Sequence, residues 1–88
     1  MPKIDDITDE KLRRIVRSIL VRLSEFVEPC STRREAERNY RDNVAQYFVI
    51  EADRWKKNYA GRDADKLLSI ATEIIKSNYR NIISKKKF

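Results

Sequence analysis

The segment TRREAERNYRDNVAQYFVIEADRWKKNYAG, Thr32 to Gly61, decides the fold of this chain. Thr32 and Glu35 stand at the spacing of a capping box, in which each side chain satisfies a backbone N–H that the first helical turn leaves unpaired. Ala36, Tyr40, Val44, Tyr47, Phe48, Trp55 and Tyr59 follow at helical intervals, with Glu51 intruding on the stripe. Gly61, the sole glycine, falls where a residue beyond a helix end adopts a left-handed backbone. The spacing predicts one helix over about residues 33–59. The pattern has room for a break near Asp42-Asn43, although no Pro or Gly imposes one.

Upstream, Thr8 is placed to cap a helix that opens at Asp9, with Ile7 and Leu12 as a hydrophobic staple. Leu12, Ile15, Val16, Ile19, Leu20, Leu23, Phe26 and Val27 recur three and four residues apart, and Pro29 stops the run, giving a first helix over about 9–27. Downstream, Asp63 is the expected cap. Leu67, Leu68, Ile70, Ala71, Ile74, Ile75, Tyr79, Ile82 and Ile83 then predict a third helix over about 64–83. Links this short make neighbouring helices antiparallel. The expectation is an all-α chain: one antiparallel three-helix bundle with a long second helix, spanning 1–88, with short flexible ends at about 1–7 and 84–88.

The chain has 88 residues, with 41% hydrophobic and 39% charged side chains, which describes one folded domain too small to enclose a deep cofactor cleft. Twenty Lys and Arg face fourteen Asp and Glu, a formal net charge of +6. That balance favours polyanions, whether nucleic acid, an anionic membrane surface or an acidic protein. One cysteine, Cys30, and no histidine exclude an internal disulfide and argue against a zinc site. No apolar run is long enough to span a membrane, and residues 1–10 lack the basic start and apolar core of a secretion signal. A cytoplasmic protein is expected. One Gly, two Pro, ten Ile and the high charge suggest a heat-adapted source.

The residues do not assemble into chemistry. Glu37 and Glu51 are fourteen positions apart, about 21 Å along a helix, too far for a pair of cooperating carboxylates. Asp5, Asp6, Asp9 and Glu10 lack the glycine and terminal Glu of a calcium loop. Cys30 has no base beside it in sequence. Helical spacing makes Tyr40, Tyr47, Trp55 and Tyr59 core or interface aromatics before stacking platforms. No catalytic, cofactor or metal residue is assigned, and the chain reads as a non-enzyme.

Two surfaces carry the functional expectation. Arg34, Arg38 and Arg41 lie along one flank of the second helix, and Arg13, Arg14 and Arg17 on the first, with Lys85, Lys86 and Lys87 at the far end. Arginine forks suit phosphate oxygens, so these nine residues are the candidate DNA or RNA contacts, without base reading. The apolar arc of the third helix spans roughly 200°, wider than the stripe that one core face needs. Leu68, Ile75, Tyr79 and Ile83, together with Val49 and Ile50, form the candidate protein interface, for a larger partner or a second copy.

In length, helicity, basic charge and composition the chain resembles the small basic helical accessory subunits of archaeal nucleic-acid enzymes, among them those of the family-B replicative DNA polymerase. No diagnostic motif accompanies the likeness. It implies a subunit that docks a larger nucleic-acid-processing protein and steadies the polymer through its phosphates, in DNA replication. The alternatives are a free-standing nucleic-acid-binding homodimer and a basic adaptor for an acidic protein.

Overall fold

The computed structural model describes residues 2–88. A short 3-10 turn, Ile4–Asp6, leads into α1, which runs as an α-helix over Glu10–Arg22 and continues as a wider π turn over Leu23–Val27. The second helix, α2, is built from Arg33–Asn39, a π turn at Tyr40–Ala45, and Gln46–Asn58. The third, α3, spans Ala64–Lys85. Together they form an all-α, antiparallel three-helix bundle with the second helix the longest.

The π turn in α2 answers the sequence pattern. Ala36, Tyr40, Val44, Phe48 and Ala52 are spaced by fours. In an ideal α-helix four such steps would carry Ala52 about 160° round from Ala36. One π turn absorbs an extra residue and returns the stripe to the core, so that Ala36, Val44, Ala52 and Trp55 are all buried. Helix 2 is therefore locally widened around Asp42-Asn43 and not broken there. The π turn of α1 packs against that of α2, and Glu28 N donates to Leu23 O at 3.2 Å where α1 ends.

α1 supplies the spine of the core, with Leu12, Val16, Ile19, Leu23 and Val27 buried along one face and Ile7 sealing its start. The N-cap is Asp9, not Thr8: Asp9 Oδ2 accepts from Leu12 N at 2.9 Å and from Trp55 Nε1 at 2.7 Å. The one carboxylate oxygen thus caps α1 and holds the indole of α2. At the start of α2, Thr32 Oγ1 accepts from Glu35 N at 3.1 Å, and Glu35 reaches back to Ser31 N at 3.4 Å in place of the expected Thr32 N.

The turn after α2 differs from expectation. Tyr59 is extended, and Gly61 does not have a positive φ. Gly61 is demanded by space instead: a Cβ there would stand 2.5 Å from the Tyr59 hydroxyl oxygen. The Tyr59 ring is held by stacking on Trp55, 4.6 Å between centroids, and its O–H donates to Asp63 Oδ1 at 2.5 Å. Asp63 itself makes no side-chain cap to α3, its backbone (φ −101°, ψ 25°) lying outside the extended region that an N-cap usually takes.

Candidate nucleic-acid interface

Antiparallel packing sorts the basic residues by end. Leu23–Val27 of α1 lies against Arg33–Asn39 and Tyr40–Ala45 of α2, while Glu10–Arg22 lies along Gln46–Asn58. Arg34, Arg38 and Arg41 therefore stand at one end of a molecule 43 Å long, and Arg13, Arg14 and Arg17 lie toward the other. The two arginine sets do not form one flank.

The end that holds Arg34, Arg38 and Arg41 also receives the C-terminal part of α3. Tyr40 of α2 and Tyr79 of α3 stack at 4.0 Å between centroids, with 22° between their planes. Lys86 Nζ donates to the Glu28 carbonyl, placing a cation at the C-terminal end of α1, where the helix dipole is negative. Arg34 and Arg38 are exposed, about 200° round the helix from buried Ala36. Neither is in an ion pair among the described residues, whereas Arg41 Nε pairs with Asp42 at 3.3 Å. Lys85 and Lys87 are exposed, and Lys86 is half-buried.

The tyrosine pair reports the field at this end. Burial raises the Tyr40 pKa, opposed by the nearby Arg80 cation. Burial likewise raises that of Tyr79, reinforced by Glu37 and partly offset by Arg33. The Arg33 and Arg80 cations, which the sequence reading did not assign, act on this tyrosine pair, and Arg80 also pairs with Glu73 at 3.9 Å. Their signal was the antiparallel pairing itself, which sets residues 33–41 beside 79–87. Glu25, Glu28, Glu35 and Glu37 temper the field.

The helix 1 arginines are differently placed. Arg14 pairs with Glu10 at 2.9 Å. Arg13 is half-buried, and its Nε is enclosed without an acceptor, so its stem serves packing as much as its charge serves the surface. Arg17 is exposed. Arg14 also borders a groove of about 920 Å³ between the start of α1 and the end of α2, with Ile15, Glu51, Arg54 and Trp55 among its lining. Within each helix Glu10 pairs with Arg14 and Glu51 with Arg54 at 3.6 Å, and across the groove Trp55 Nε1 donates to Asp9.

The apolar candidates separate as well. Val49 and Ile50 are 64% and 54% exposed. Ile75 is 3% exposed and belongs to the core, and Leu68, Tyr79 and Ile83 are half-buried against it. In a three-helix bundle α3 touches two neighbours, which uses up the wide apolar arc that had suggested a free face. Among the described residues, the large hydrophobic side chains that stand exposed are Val49 and Ile50 on α2, Val21 on α1 and Phe88.

Cys30 is a structural residue. It is buried, its thiol donates to Phe26 O at 3.1 Å, and Asn39 Nδ2 reaches both Phe26 O at 2.7 Å and Cys30 Sγ at 3.3 Å. These contacts tie the end of α1 to the first turns of α2. Among the described residues no group of three or more His, Cys, Asp or Glu is placed to hold a metal ion, and no helix is long and apolar enough to cross a membrane. Compared with known proteins, the chain matches no family model, no curated protein and no solved structure.

Proposed function

We propose that this chain is a non-enzymatic accessory protein that contacts nucleic-acid phosphates non-specifically through its basic end. The observation that carries the reading is the gathering of Arg34, Arg38 and Arg41 with the Lys85–Lys87 segment at one end of the bundle. Two exposed, unpaired guanidinium groups on one helix offer bidentate contacts to phosphate at little desolvation cost. The flank carries no set of side chains suited to reading base edges, so the mechanism is positioning and charge neutralisation.

Val49 and Ile50 are the docking point for a larger nucleic-acid-processing protein in this reading. Two side chains fall far short of the ~800 Å² per partner of a stable standard interface. That shortfall favours a partner which covers them together with neighbouring polar surface over a tight homodimer of this chain. The test is a salt titration of binding to a labelled duplex and a labelled single strand. Phosphate contact gives an affinity that falls steeply with salt and ignores sequence. Absence of binding at low salt, with a stoichiometric acidic protein retained by the chain, supports the adaptor reading instead.

A further inference from the structure

We infer that the basic end takes a single strand, with the Phe88 ring as stacking platform for an unpaired base. This rests on the phosphate-contacting reading above and adds the form of the polymer. Phe88 is 49% exposed, and every other aromatic side chain is buried or half-buried. Tyr40 and Tyr79 already spend a face on each other, and Trp55 and Tyr59 do the same.

The ring is also placed. Lys86 is held to the end of α1 by its bond to the Glu28 carbonyl, and its ammonium lies over the Phe88 ring, 5.8 Å from the centroid. The segment that carries Lys86 and Phe88 therefore lies against the end of α1, with an aromatic face beside the Lys86 cation. Lys86 also lines an open cleft with Glu28, Asn81, Ile82 and Lys85. The Asn81 amide offers both donor and acceptor to a base edge, and Ile82 offers apolar contact.

This set suits a strand whose bases are unpaired. A duplex keeps its base faces stacked inside and presents only edges and phosphates, so an exposed ring has nothing to cover it. A single strand presents base faces that stack on any aromatic ring, while cations track its backbone. The arrangement matches the second ligand in both respects.

The experiment is fluorescence anisotropy with one mixed-pyrimidine sequence as labelled single-stranded DNA and RNA, and as a hairpin duplex of equal charge. The native chain, Phe88→Ala and Phe88→Leu are compared, with circular dichroism to verify their helicity. The expected result is single-strand binding about tenfold or more tighter than duplex binding. Each Phe88 variant should lose on the order of tenfold on the strand alone, with an unchanged salt slope because the phosphate contacts are intact. The DNA and RNA arms identify which strand is preferred. Equal binding of strand and duplex, with silent Phe88 variants, overturns the single-strand site and leaves the phosphate reading standing. No binding to either form at low salt overturns both.

Discussion

The indole N–H of Trp55 donates to the carboxylate of Asp9 across 2.7 Å, joining the last turns of α2 to the cap of α1. The same carboxylate oxygen accepts Leu12 N, so one side chain both starts a helix and fixes its neighbour. Trp55 in turn backs the Tyr59 ring, which governs the turn into α3. The end of the bundle away from the basic cluster is thus held by a chain of contacts through Asp9, Trp55, Tyr59 and Asp63.

Asp9→Ala removes a cap, worth about 1 kcal/mol, and strands a largely buried indole donor at ~1–3 kcal/mol. Trp55→Phe loses the indole bond but keeps the cap. Urea unfolding of both variants and the double variant should show the double losing less than the sum of the singles, because the two share one bond. Additive losses would mean that the bond does not couple the helices.

Gly61→Ala should destabilise, because the new Cβ meets the Tyr59 ring at 2.5–2.7 Å and displaces it from Trp55. The expected loss is about 0.5–1.5 kcal/mol, the worth of an aromatic stack. In a Tyr59→Ala background the same change should be neutral or stabilising by about 0.4–1 kcal/mol, since Gly61 has no positive φ and alanine restricts the unfolded chain. Thermal unfolding of the four chains reads this reversal of sign.

Tyr40 and Tyr79 predict alkaline sensitivity. Both pKa values are raised above 10.0 in the folded state, chiefly by burial. The folded state therefore favours the neutral phenol. The stability this adds is complete below the unfolded value of 10.0 and is lost as pH rises through the raised folded values. Tyr40→Phe/Tyr79→Phe should flatten the fall in urea midpoint above that pH. An unchanged fall would assign the alkaline loss to other groups.

Ile75→Ala should cost ~2–5 kcal/mol as a core truncation. Val49→Ser should change stability by no more than about 0.5 kcal/mol, as an exposed substitution. Chemical denaturation separates them. A mild Ile75 effect would return that residue to the list of candidate docking positions.

The helices were legible because their punctuation is local: Pro29 ends one run, Thr32 and Glu35 open the next, and apolar residues recur at helical intervals between them. The widening at Tyr40–Ala45 was also written in the chain, as the repeated spacing of four from Ala36 to Ala52, but a search for Pro or Gly does not detect it. Three features depended on tertiary contact. Ile75 reads as surplus apolar surface until both neighbours of α3 are known. Gly61 reads as a left-handed residue until Tyr59 is seen leaning over it. The arginines of α1 and α2 read as one flank until the antiparallel path sets them toward opposite ends.

The most direct test of the account compares two triple variants in one binding experiment. Arg34→Ala/Arg38→Ala/Arg41→Ala removes the exposed arginines beside the lysine segment, and Arg13→Ala/Arg14→Ala/Arg17→Ala removes the same formal charge from α1. Anisotropy with a labelled oligonucleotide is recorded across a salt series, on chains shown by circular dichroism to be folded. The account predicts a large loss of affinity and a shallower salt slope, by roughly one unit per phosphate contact removed, for the α2 variant, with a smaller change for the α1 variant. Equal losses from both would show that net charge alone, and not the basic end, drives binding.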